Sequence, residues 1–133
     1  NVPKNTASMQ HQVAHEMLNK SQKTRFIVKM GDNLNSIKIE DIAYFVAEEG
    51  IVILVNQDGK RYPIDYTMDA LEAILSHELF FRINRKMILN INQIIQVQSY
   101  FNGRLKMKLK LQMNDDCIVS RERVADFKKW LDH

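Results

Sequence analysis

From Arg25 onward the chain is a succession of short apolar runs broken by turn residues. The pattern predicts strands over 26–30 (FIVKM), 34–39 (LNSIKI), 42–48 (IAYFVAE) and 51–56 (IVILVN), the last rich in β-branched side chains. Asp58-Gly59 then predicts a hairpin with a type I′ turn, because both residue types tolerate positive φ. RYPID (61–65) follows, and Pro63 marks it as an edge strand or a strand end. The β pattern breaks at DYTMDALEAILSHE, where Thr67 can cap a helix and Met68, Leu71, Ile74 and Leu75 form one apolar stripe. Strands resume at 79–83, 87–91, 94–100, 104–113 and 117–120, with Phe101-Asn102-Gly103 as a turn. A second helix closes the chain. Ser120 is its expected cap, and Val124, Phe127, Trp130 and Leu131 share a face. The fold class is therefore mainly β, about ten short strands with a mid-chain helix and a C-terminal helix.

Residues 1–24 read differently. Met9, Val13 and Met17 recur at four-residue spacing, which predicts a weakly amphipathic helix on a linker. The expected organisation is a linker over 1–24 and one domain over 25–133. The polar start has no signal-peptide apolar stretch, and the lack of an initiator Met points to a processed chain or, in preference, a piece of something longer. No run approaches the ~20 apolar residues of a membrane helix, so no membrane partner is expected. The single cysteine, Cys117, sits among apolar neighbours and reads as a buried, inert thiol. Its solitude suits a cytoplasmic protein.

Composition is ordinary, 45% hydrophobic and 26% charged, and the net charge is only +3. The distribution of charge is more informative. Residues 40–78 hold nine acids against Lys60 and Arg61, whereas 80–114 hold seven bases and no acid. Such asymmetry points to an anionic partner for the basic segment, or to acids of the first segment folding against bases of the second.

Enzyme signatures are nearly absent, and no cofactor is expected. HQVAH (11–15) has the two-histidine spacing of zinc proteases, but Gln12 stands where a general base is needed and cannot take a proton. A solvated helix face is the favoured reading. The basic features carry more. In RLKMKLKLQM (104–113), strict alternation puts Arg104, Lys106, Lys108 and Lys110 on one face of a strand and Leu105, Met107, Leu109 and Leu111 on the other. That cationic row either protects an edge strand or tracks phosphates. FFRINRKMILN (80–90) joins two apolar runs through a turn that projects Asn84, Arg85 and Lys86. An amide, a guanidinium fork and a point charge are what contacts to adenine, guanine and phosphate require. SRER (120–123) adds Arg121 and Arg123 at a helix start, where cations oppose the helix dipole, unless they pair with a nearby acid. Arg82, inside the first apolar run, reads as structural or as a further contact.

Taken together, IEDIAYF, GKRYPIDYTMDALEAIL, FFRINRKMILNINQI, YFNGRLKMKLKL and IVSRERVADFKKWL resemble the LytTR DNA-binding domain of LytR/AlgR-type bacterial response regulators. The resemblance spans 25–133 in consistent order. It implies an elongated arrangement of about ten strands in small sheets. It implies sequence-specific binding of promoter duplex DNA, with loops rather than a recognition helix entering the grooves. By position it offers Asn84, Arg85 and Lys86, Arg121 and Arg123, and Asn102 with Arg104. The loop that is a further contact in the family reads Glu48-Glu49-Gly50 here, and its acids would repel phosphate. The resemblance further implies an N-terminal receiver domain as a partner, and repeated sites bound by two copies. The alternatives are a β-rich protein-interaction module, or a single-stranded RNA binder with Tyr100 and Phe101 stacking on bases.

Overall fold

Five strands in the order β5-β4-β3-β7-β6 form the central sheet of the computed structural model, which describes residues 22–113 and 115–133. They are β3 (Ile42–Glu48), β4 (Ile51–Asn56), β5 (Arg61–Ile64), β6 (Phe80–Asn84) and β7 (Met87–Asn90), every neighbouring pair antiparallel. Successive side chains of a strand point to opposite faces. In β4, Val52 and Leu54 enter one core while Ile53 and Val55 enter another, so both faces are covered and the run IVILV is continuously apolar. In β3 the register shifts between Ile42 and Tyr44, which sends both Ala43 and Tyr44 to the same core.

One core lies beneath the hairpin of β1 (Arg25–Met30) and β2 (Asn33–Lys38) and beneath helix α1 (Met68–Ile74). Phe26, Phe45 and Phe80 meet there at centroid distances of 5.4 and 5.8 Å. Thr67 caps α1 as expected, its hydroxyl accepting from the Ala70 N–H at 3.0 Å. The other core lies between the central sheet, a three-stranded sheet and helix α2 (Val124–Leu131). The three strands are β8 (Ile94–Ser99), β9 (Leu105–Leu109) and β10 (Cys117–Val119), in the order β10-β9-β8. Leu105, Met107 and Leu109 are buried, with Phe127 and Trp130 of α2 across from them in the same cluster.

Several local expectations need correction. Of Asp58 and Gly59, Gly59 alone has positive φ, and Asn56 Oδ1 accepts from the N–H groups of Asp58 and Lys60, both at 2.9 Å. The turn with two positive φ values lies at Glu49 (50°) and Gly50 (81°), between the paired Glu48 and Ile51. Ser120 is not a side-chain cap: a 3₁₀ turn, Arg121–Arg123, separates it from α2, and its hydroxyl faces the Ile83 carbonyl at 3.4 Å. Leu131 is exposed rather than buried with Phe127 and Trp130. β9 is the central strand of its sheet, so its lysines do not guard an edge. The helix expected around Met9–Met17, and HQVAH within it, lie outside the described residues. No helix among the described residues is long and apolar enough to cross a membrane.

Candidate nucleic-acid interface

The β6–β7 connection is a two-residue tip. Asn84 pairs with Met87, leaving Arg85 and Lys86 exposed between them. Its backbone is held from three sides. Asn84 Oδ1 accepts from the Lys86 N–H at 2.8 Å, the Lys86 carbonyl accepts from the Ala47 N–H at 2.8 Å, and the Arg85 carbonyl accepts from Arg82 Nη2 at 2.8 Å. Asn84 Nδ2 also donates to the Ile118 carbonyl at 2.8 Å, which ties the tip to β10. The Asn84 amide is thus engaged at both ends. That is at odds with a bidentate contact to a base and makes Asn84 a buttress of the tip.

Arg82 settles as a structural residue. Its Nη1 pairs with Asp69 at 2.6 Å and Glu72 at 3.1 Å, both on α1, and its side chain is only 12% exposed. Burial works against its charge, but the hydrogen bonds to Asp69 and Glu72 prevail and its pKa is raised. Arg123 belongs to the same cluster. Its Nη1 donates to the Arg82 carbonyl at 3.2 Å and lies 3.8 Å from Glu72. The cost expected of cations at a helix start therefore falls away: Arg123 precedes α2 and has an acid to face, and Asp126 occupies the first turn. Acids of the 40–78 segment do fold against a base of the 80–114 segment at Arg82, and Glu72 also faces Arg123 of SRER.

The remaining cations are arranged otherwise. Arg85, Lys86, Arg104, Lys108, Lys110 and Arg121 have no carboxylate at ion-pair distance among the described residues. Lys106 lies 3.4 Å from Asp116. Arg104 donates through Nε to the Phe101 carbonyl at 3.0 Å, and its guanidinium lies 4.9 Å from the Tyr100 ring centroid. Asn102 is exposed in the left-handed region (φ 59°), beside Gly103 (φ 74°). A Cβ on Gly103 would stand 3.4 Å from both Cγ and Cδ of Arg121, so the stem of Arg121 lies against this turn.

The structure therefore brings the sequence motifs together in pairs. Asn84, Arg85, Lys86 and Arg123 line one open depression of about 860 Å³, shared with Glu122, Asp126, Asp115 and Asp116. Arg121 joins the Phe101–Gly103 turn to the SRER segment. Lys108 and Lys110 lie in a separate depression together with Asp115 and Asp116. The acids Asp69 and Glu72 were missed as site-shaping residues. Their signal was present: an i, i+3 acid pair on a helix, with an uncompensated arginine in an apolar strand. Tyr44 and Cys117 are perturbed by burial, Cys117 up to about 12, which fits an inert thiol and no nucleophile.

A β domain with exposed cations on its turns and on the open face of β9, and with one turn tip braced by an ion-paired arginine, is the class defined by this fold and surface. A family model, the LytTr DNA-binding domain, matches residues 32–132, and the chain belongs to that family. Among curated proteins it is 30% identical to the sensory transduction protein LytT of Enterococcus faecalis over 131 residues, 98% of this chain and 48% of that protein. It is 26% identical to the transcriptional regulatory protein YpdB of Escherichia coli, covering 77% of this chain and 45% of that one. The chain thus spans about half the length of these relatives. Its fold is similar to the LytTr DNA-binding domain of a putative methyl-accepting/DNA response regulator from Bacillus cereus. The TM-score is 0.73 at 19% identity, over 84% of this chain and 99% of that one.

Proposed function

We propose that this domain binds promoter duplex DNA sequence-specifically, as the output part of a two-component transcription regulator. Side chains from its turns enter the grooves. The observation that carries the reading is the division among the cations of 80–90. Arg82 is paired with Asp69 and Glu72 and largely covered, while Arg85 and Lys86 are exposed on a braced tip without a carboxylate at ion-pair distance among the described residues. Preorganised donors lose little entropy on binding. In this reading Arg85 and Arg121 read base edges, because a guanidinium fork matches the two acceptors of guanine in the major groove. Lys86, Arg104, Lys106 and Lys108 hold phosphates, and Asn102 contacts the backbone beside them. Asn84 and Arg123 position the tip. Relatives about twice as long, one named a sensory transduction protein, support a receiver domain in the whole protein and a cytoplasmic site of action. Two copies then occupy repeated sites.

Binding measured against salt and sequence tests the proposal. Affinity for a selected promoter fragment should fall with salt at a log–log slope of about −0.9 per neutralised phosphate. Arg85→Ala should cost about 1–3 kcal/mol and relax the preference at one base position. A loss spread evenly over all sequences would make Arg85 a phosphate contact. Tighter binding to single-stranded RNA than to duplex would favour Phe101, 72% exposed, as a stacking platform instead.

A further inference from the structure

Sheet edges offer unpaired N–H and C=O groups to any other strand, and proteins normally blunt them. Most edges here are blunted. β5 carries Arg61 and Pro63 on the outside of the central sheet. β6 and β10 shield each other: the Ser120 N–H donates to the Ile83 carbonyl at 3.0 Å and Asn84 Nδ2 to the Ile118 carbonyl. The β1–β2 hairpin carries Arg25, Lys29 and Lys38. The exception is β8. It pairs with β9 on one side, and among the described residues no backbone or side-chain hydrogen bond meets its other side. The stretch NQIIQVQSY (92–100) contains no charged residue and no proline or glycine. Ile95 is 55% exposed beside a register shift, and Gln96, Gln98 and Ser99 are exposed.

We propose that the open edge of β8 is a self-association surface, on which β8 of a second copy of this chain pairs antiparallel about a twofold axis through Val97. An antiparallel strand pair is self-complementary under a twofold, and the absence of charge removes the self-repulsion that edge lysines impose. Centred on Val97, the pairing sets Gln96 of each copy opposite Gln98 of the other, so that side-chain amides donate and accept across the axis. These glutamines lie on the same face as Lys108 and Lys106, their partners in register on β9. The two lysine rows are then three strand spacings apart, about 14 Å. That exceeds the ~8 Å screening length at physiological salt, so the rows do not oppose the pairing. The product is one six-stranded sheet with a continuous face carrying Lys106 and Lys108 of both copies. The contact is small, so the association is weak and concentration-dependent.

Sedimentation equilibrium of the 133-residue chain without DNA, over a concentration series, tests this. A reversible monomer–dimer equilibrium is expected. Gln96→Lys/Gln98→Lys places like charges opposite each other twice and should weaken the dimer roughly tenfold. Gln96→Glu/Gln98→Lys places Glu opposite Lys twice in the Val97-centred register and should restore it. Both variants alter exposed side chains, and circular dichroism with thermal melting confirms that each is folded. A chain that stays monomeric throughout would overturn the proposal and leave the edge to another occupant. So would a dimer indifferent to both variants, or open-ended oligomers in place of a dimer.

Discussion

The two main sheets solve different problems. The central sheet is covered on both faces, so adjacent residues of β4 are alternately committed to two cores and none between Val52 and Val55 is free to be polar. The three-stranded sheet is covered on one face. β9 therefore alternates, with Leu105, Met107 and Leu109 buried and Lys106 and Lys108 turned away from the core. Charge is placed where burial leaves room for it: on the uncovered face of one sheet, and at the turn tips of the other.

A parity test breaks or sharpens this comparison most directly. Leu54→Ala and Val55→Ala remove neighbouring side chains that are 0% and 1% exposed. The first should cost about 2–5 kcal/mol, the second less because a smaller side chain is deleted. In β9, Leu109→Ala should be costly and Lys108→Ala should not. Urea unfolding measures all four, and a costly Lys108→Ala would end the one-sided description. The next test concerns Arg82, the charged side chain of β6. Arg82→Met keeps much of the stem and leaves Glu72 facing Arg123 alone. It should cost about 1–3 kcal/mol, discounted because Asp69 is largely exposed. It should also weaken DNA binding without Arg82 touching DNA, since the Arg85 carbonyl loses a donor.

A pH series reads the core between the sheets. Burial holds the Cys117 thiol neutral to about 12, against an ordinary value of 9.0. A group of this kind stabilises the fold below pH 9 and loses that contribution as pH rises toward 12, because only the unfolded thiol ionises there. The slope should approach −1.4 kcal/mol per pH unit. Cys117→Ala should remove that component, and Tyr44, also raised chiefly by burial, adds the same sign. The smallest expected effect is on stability at the lysine face. Lys108→Ala should lie within about 0.5 kcal/mol of the parent, while reducing the salt slope of DNA binding by about 0.9.

Much of the strand content was legible because period-two patterning and turn residues are local. All ten strands fall within a residue or a few of the predicted runs, and the Thr67 cap and the edge position of β5 follow from the residues themselves. What local pattern does not encode is the order of strands within a sheet. The lysine row looked the same for an edge and for a central strand, and the pairing of β9 with both β8 and β10 decides between them. Side-chain commitments were equally hidden. Asn84 and Arg123 have the chemistry to contact a nucleic acid, yet their partners, the Ile118 carbonyl, Glu72 and the Arg82 carbonyl, lie far away in sequence. Residue preference points to Asp58-Gly59 for a turn with two positive φ values, whereas the chain has it at Glu49-Gly50, between the paired Glu48 and Ile51.

The indole of Trp130 donates through Nε1 to the His77 carbonyl at 2.7 Å, and its ring lies 5.2 Å from that of Phe81. The chain has no other tryptophan. Its emission is therefore a private spectroscopic channel for one seam of the molecule, where α2 meets β6 and the stretch after α1. Fraying of that last helix would shift the emission toward longer wavelength before far-ultraviolet signals from the strands respond, so a single excitation wavelength can separate a local event from global unfolding.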